Sequence, residues 1–233
     1  MSFLDPHLNL TPSLLGSIAL VAAWLGATIF TAEWLYRRQV AGPEVGRKVV
    51  HISTGHVLLL AWWLQIPAWV GITASLLAAL GAWLSYHLPL LPSVNGVGRR
   101  SLGTLFYAIS IGLVIALCWP ADRPQYAALG ILVMAWGDGL AALVGQRFGR
   151  HPYQLGGITK SWEGSATMAI VSFLVAASIL FSTQGFSWPA GAIALGIAGL
   201  ATGLEAFSKW GIDNLTVPIA SSVIALLGDR LWL

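Results

Sequence analysis

Charge is scarce in this chain. Only 9% of its residues are Asp, Glu, Lys or Arg, against 57% hydrophobic ones, which leaves too few polar side chains to cover the outside of a water-soluble domain. Cysteine is nearly absent as well. Cys118 stands alone, so an intramolecular disulfide and a multi-cysteine metal site are both excluded. Residues 1–233 contain no low-complexity linker, no repeat of usable period and no shift in composition that would set off a soluble unit, and they read as one membrane domain. Met1 to Pro12 lack the charged leader, short apolar core and small-residue cleavage site of a secretory signal, and no cleaved signal peptide is expected. The net charge of +3 does not imply nucleic acid, because the 12 basic residues collect in short segments between apolar runs.

What the chain has in quantity is apolar sequence of bilayer length. Eight runs qualify, at 13–36, 49–64, 66–88, 102–119, 125–146, 164–184, 188–207 and 215–232. They predict an all-α integral membrane protein, a polytopic helical bundle of about eight transmembrane helices, or seven if the second or last run does not cross. Pro67, Pro89, Pro92, Pro120, Pro124 and Pro189 lie at or between run ends, where a missing N–H costs least. Trp62, Trp63, Trp69, Trp119 and Trp188 sit beside such prolines and mark where spans leave the bilayer.

Eight crossings place segments 37–48, 89–101, 147–163 and 208–214 on one side, with ten of the basic residues: Arg37, Arg38, Arg47, Lys48, Arg99, Arg100, Arg147, Arg150, Lys160 and Lys209. Arg123 and Arg230 alone remain for the other side. The positive-inside rule then puts the first side in the cytoplasm, at a cell inner membrane or its equivalent, with both termini opposite. Ala192, Gly196, Gly199 and Gly203 fall on one face of the seventh run, where a neighbouring helix can approach, within one chain or between two copies of a homo-oligomer.

Three polar clusters interrupt this pattern. In the first, Lys48, His51 and Gly55 share a helix face at the entry to the second run, although charge rules alone favour a topogenic anchor followed by a tolerated helix-end histidine. The second contains Asp138, deep in the fifth run, and continues through Arg147, Arg150, a flexible stretch, Lys160, Ser161 and Glu163. An acid inside a span costs a few kcal/mol (~3) by insertion scales and usually faces a partner, a cavity or a reacting group. Two carboxylates can hold a divalent cation, and the basic residues can neutralise phosphate oxygens. The plainer alternative is a buried ion pair to a neighbouring span beside a merely topogenic loop. The third cluster, Glu205 to Pro218, adds Glu205, Asp213 and Asn214, and reads equally as an interhelical turn with an Asp-Asn helix start.

Two motif readings fail. Gly156-Gly157-Ile158-Thr159-Lys160-Ser161 has no glycine immediately before the lysine and is no P-loop. Asp138-Gly139 is superficially similar to the phosphotransferases that act on CDP-alcohols, but the further aspartates of such a site do not follow.

Taken together, the segments 47–55, 100–107, 137–150, 160–165 and 205–218 resemble, in order along the chain, the membrane-embedded polyprenol kinases. That family includes dolichol kinases, phytol kinases and CTP-dependent diacylglycerol kinases, and the compact length suits the phytol kinase branch. The resemblance implies phosphoryl transfer from a nucleoside triphosphate, typically CTP, to the hydroxyl of an isoprenoid alcohol, with Mg²⁺ as cofactor. Asp138 is then expected to hold the metal or act as base, with Glu163 as a second metal ligand or its orienter. Lys160, Arg147 and Arg150 would grip the triphosphate together with Ser161, and Lys48 and His51 would close the site. Glu205, Asp213 and Asn214 are further candidates for metal or nucleotide contacts. The partners implied are the alcohol, the nucleotide and the lipid bilayer. A CTP-dependent lipid cytidylyltransferase and an ion-coupled transporter using Asp138 are the competing readings, and the absence of paired broken spans or internal symmetry weighs against transport.

Overall fold

A computed structural model describes residues 11–38, 43–87 and 102–232. They form a helical bundle: α1 Pro12–Arg37, α2 Pro43–Gly55, α3 Val57–Trp63, α4 Ala68–His87, α5 Gly103–Cys118, α6 Pro124–Phe148, α7 Trp162–Gln184, α8 Trp188–Ala206 and α9 Asp213–Trp232. Among the described residues six helices are long and apolar enough to cross a membrane: α1, α4, α6, α7, α8 and α9. The protein is accordingly an all-α, multi-pass membrane protein. Arg99, Arg100 and Ser101, part of the basic segment and of one matching stretch, lie outside the described residues.

The bundle is organised around α6. Every residue from Tyr126 to Ala135 is buried, as expected for a helix apolar on all sides and ringed by others. Gly130 admits α9, since a Cβ there would stand 2.4 Å from the Pro218 carbonyl oxygen. Gly137 admits α7, where a Cβ would meet Met168 Sδ at 2.6 Å. By contrast α1 is almost entirely outward-facing, with Thr28 its one buried residue, and shows its apolar surface to lipid.

Three features depart from the sequence reading. The second run, 49–64, is two helices, α2 and α3, parted at His56, whose N–H bonds to the Ser53 carbonyl at 3.2 Å in a tightened turn. Gly55 lies at the break, pressed so closely on α5 and α6 that a Cβ would sit 2.8 Å from Ala135 Cβ and 3.1 Å from the Tyr107 hydroxyl. Second, the stretch before Lys160 that reads as flexible is an antiparallel hairpin, β1 Pro152–Leu155 and β2 Ile158–Ser161. Its two-residue turn, Gly156-Gly157, has φ of +56° and +79°, the primed turn that matches the twist of a hairpin. Third, nothing among the described residues packs on the glycines of the small-residue stripe: a Cβ at Gly196, Gly199 or Gly203 would meet none of their atoms within 4 Å.

Candidate active site

Contacts bring the C-terminal parts of α6 and α8 together with the N-terminal parts of α2, α7 and α9: Lys48 meets Asp138, Lys160 just before α7 meets Glu205, Gly164 lies against Gly145, and Ser208 after α8 accepts from the Asp213 N–H. Each of the three polar clusters falls at this end. Asp138 is set inward, ten residues before the end of α6, or about 15 Å at the helical rise.

Its carboxylate is met from α2. Lys48 Nζ donates to Asp138 Oδ2 at 2.6 Å and lies 3.4 Å from the Asp138 backbone oxygen. The lysine side chain is only 3% exposed, the aspartate 16%, so the pair is desolvated but open on the acid's side. His51, one turn after Lys48, brings Nε2 to 3.4 Å from the same Oδ2. Tyr107 of α5 fixes this part of α2, donating its hydroxyl to the His51 carbonyl at 3.0 Å and packing on the imidazole at a centroid distance of 4.9 Å. Neither Lys48 nor His51 bonds Oδ1, and among the described residues that atom takes no hydrogen bond. At the surface end of α2, burial would raise the Glu44 carboxyl, but the Arg47 guanidinium outweighs it and holds the acid below its ordinary value.

A second pair lies beside the first. Lys160, from β2, donates to Glu205 Oε1 near the end of α8. The other oxygen of Glu205, Oε2, is buried without a hydrogen-bond partner among the described residues. Lys160 acts electrostatically on Asp138, and Asp213 is within reach of the charges of Asp138, Lys160 and Lys48, so the two pairs and Asp213 form one electrostatic cluster. Asp213 and Asn214 open α9 as the sequence suggests. Asp213 Oδ1 accepts from the Asn214 N–H at 3.0 Å, and Asn214 Nδ2 donates to the Gly211 carbonyl at 3.1 Å. Pro218 has no N–H to give the Asn214 carbonyl four residues earlier, which leaves that oxygen without its helical donor.

The remaining expected residues are placed around this cluster. Ser161 caps α7, its Oγ accepting from the Gly164 N–H at 3.2 Å. Glu163 turns to the start of the hairpin: His151 Nδ1 is 2.6 Å from its Oε1, and the His151 N–H donates to Oε2 at 3.3 Å. Arg147 and Arg150 are exposed and take part in no ion pair among the described residues. Lys209 reaches the hairpin tip, 3.7 Å from where a Gly157 Cβ would lie. Gly145 and Gly164 serve packing, since a Cβ on Gly145 would stand 3.6 Å from the Gly164 Cα where α6 and α7 cross.

Sequence reasoning missed Tyr107 as a member of the site, although it lies in a matching stretch, because a tyrosine in an apolar run carries no charge signal. It also missed the polar network at the opposite end of the bundle. There Arg123 Nε donates to Asp229 Oδ2 at 2.7 Å, and Gln184 Nε2 donates to Asp229 Oδ1 and to the Tyr126 hydroxyl, both at 2.8 Å.

Among the described residues no three His, Cys, Asp or Glu side chains converge as a metal cage. The donor set still suits Mg²⁺, which keeps several waters and takes one or two carboxylates with substrate phosphates in place of an all-protein cage. The unpartnered Oε2 of Glu205 and the unbonded Oδ1 of Asp138 are hard oxygen ligands of that kind.

No family model matches the chain, and no solved structure matches it. Similar proteins are nonetheless found. The phytol kinase of Synechocystis sp. is 55% identical over 217 residues, covering 93% of each chain. A probable chloroplastic phytol kinase of Triticum aestivum is 31% identical over 91% of this chain and 76% of its own. The chloroplastic phytol kinase 1 of Arabidopsis thaliana is 29% identical over 93% of this chain and 78% of its own.

Proposed function

This chain belongs to the phytol kinase family, and from that premise we propose that it moves the γ-phosphoryl group of CTP to the hydroxyl of an isoprenoid alcohol, phytol or geranylgeraniol, at the membrane. The observation that carries the reading is the convergence of Lys48–Asp138 and Lys160–Glu205, drawn from three separate helices and the hairpin, at one end of the bundle.

Phosphoryl transfer asks a protein mainly for positioning and for neutralising charge. In the reaction the alcohol oxygen bonds to the γ-phosphorus, the bond from that phosphorus to the β,γ-bridging oxygen breaks, and the nucleoside diphosphate leaves. The hydroxyl proton passes to Asp138, whose Oδ1 takes no bond from Lys48 or His51. Lys48 faces the Asp138 carboxylate with an opposite charge and orients it through Oδ2. Lys160 gives charge to the triphosphate, with Arg147 and Arg150 as exposed cations at the same end. Glu163 and Ser161 act at one remove, holding the hairpin and the start of α7 from which Lys160 projects. Mg²⁺ would be held by Glu205 through its Oε2, completed by water and substrate phosphate, and when bound it would neutralise phosphate charge.

The orientation that suits this chemistry puts the polar end in the cytosol, where the nucleotide is dissolved, while the alcohol arrives sideways from lipid. The ten-to-two distribution of basic residues supports that orientation.

Product analysis tests the activity. Purified protein with CTP, Mg²⁺ and phytol is expected to yield phytyl phosphate and CDP. A CDP-linked lipid with pyrophosphate would instead identify a cytidylyltransferase, and the absence of any nucleotide turnover would leave transport.

A further inference from the structure

The break at His56 gives the two halves of one apolar run different surroundings. α2 takes Lys48 and His51 to Asp138, whereas α3 contributes Leu59 and Trp62 to one wall of an open groove of ≈ 650 Å³. Leu132 and Trp136 of α6 form its floor, and Val175 and Ile179 of α7 stand opposite. The volume falls within the range of ligand pockets, roughly 300–1,000 Å³.

Its polar groups make no demand on an occupant. Ser178 donates to the Leu174 carbonyl at 2.7 Å, Ser182 to that of Ile179 at 2.9 Å and Thr183 to the same carbonyl at 2.8 Å. His56 Nδ1 lies 3.0 Å from the Ile52 carbonyl, and its Nε2 receives Trp136 Nε1 at 3.4 Å. The surface suits a hydrocarbon. One end of it is also level with the site: Trp136 precedes Asp138 by two residues, about 3 Å of helical rise. There His56 is held between Trp24 and Trp136, with ring centroids 5.9 and 5.8 Å away.

Resting on the kinase reading, we infer that this groove holds the isoprenoid tail of the acceptor alcohol, its His56–Trp136 end toward the hydroxyl. A bilayer acyl chain would explain the apolar lining alone. It would not explain why the groove begins at the level of the catalytic carboxylate, on the same helix and on the continuation of the helix that carries Lys48.

Ser178→Trp in the full-length protein fills the groove from a position whose hydroxyl bonds only its own helix. The KM for phytol is expected to rise about tenfold or more, because a filled groove forfeits the close packing that favours it over surrounding lipid. The KM values for CTP and for the five-carbon alcohol prenol, too short to run the length of the groove, should not change. An unchanged KM for phytol, or an equal rise for both alcohols, overturns the inference. A phytol analogue with a diazirine at the tail end gives a second measurement that needs no turnover. Adducts at Leu132, Val175 or Ile179 support the groove, and adducts spread over the outward face of α1 overturn it. If the wild-type protein phosphorylates neither alcohol, the kinase reading falls by itself, and the adduct map still decides what the groove takes.

Discussion

Lys48 and Asp138, ninety residues apart in sequence, meet at 2.6 Å between α2 and the buried middle of α6. Removing one member of a buried pair strands the other charge and costs about 3–5 kcal/mol, whereas replacing both with groups of similar volume is often neutral. Lys48→Met should therefore lower thermal stability and abolish turnover. The double variant Lys48→Met, Asp138→Asn should recover most of the stability and none of the turnover. Recovery of both would reduce the pair to a structural tie.

Lys160 is held by Glu205 and is expected to give its charge to the nucleotide. Lys160→Met should raise the KM for CTP about tenfold or more, the loss of one charge-assisted phosphate contact, with the KM for phytol unchanged. Glu205→Gln keeps the shape and removes the charge beside the unpartnered oxygen, so the Mg²⁺ concentration needed for half-maximal rate should rise. Steady-state titrations of nucleotide, alcohol and metal separate these effects, and a shift in the alcohol KM alone would contradict both assignments.

The Gly156-Gly157 turn holds the hairpin that aims Lys160. Gly157→Val places a β-branched residue at φ of +79°, a backbone region that costs an L-residue about 1–2 kcal/mol or more. Limited proteolysis should cut near residue 157 faster, the KM for CTP should rise, and global stability should change little because the hairpin lies outside the helical core. Unaltered cleavage would show that the turn tolerates the change.

Glycines on α6 and α8 should respond oppositely. Gly130→Leu drives a side chain into the backbone of α9 at Pro218 and is expected to prevent stable insertion. Gly199→Leu enters open space, so the monomer should be unaffected. If copies of the chain pair through that stripe, the same variant should shift the protein in detergent toward monomer by light scattering. An unchanged mass would place the stripe against lipid.

Arg123 and Asp229 are at the far end of the bundle. Arg123→Gln should destabilise by about 1–2 kcal/mol, leaving Asp229 with Gln184 alone, and should leave every KM as it was. Thermal unfolding beside steady-state kinetics checks this, and a changed KM for CTP would tie the network to the site.

Much of this molecule is legible in its sequence because a bilayer imposes a simple grammar. Apolar length marks the helices, prolines and tryptophans mark their ends, and Asp138 is conspicuous for its cost. The pairing of Lys48 with Asp138 is half legible: face spacing puts Lys48 and His51 together, but which acid they meet depends on how α2 lies against α6. The hairpin was hidden by its shortness, although Gly156-Gly157 between Leu155 and Ile158 is the usual turn signal. The break at His56 was hidden because periodicity cannot distinguish one helix of sixteen residues from two packed end to end. Glu163 has the charge of a metal ligand, and only coordinates show that both its oxygens are taken up by His151.

The central claim is that Asp138 serves phosphoryl transfer and not only the pairing of a buried lysine. It is tested most directly by incubating wild-type protein and Asp138→Asn, matched for folding by thermal unfolding, with γ-labelled CTP, Mg²⁺ and phytol. Label should appear in phytyl phosphate with the wild type and vanish with the variant. Comparable label from both proteins would contradict the assignment and leave the Lys48–Asp138 pair a structural one.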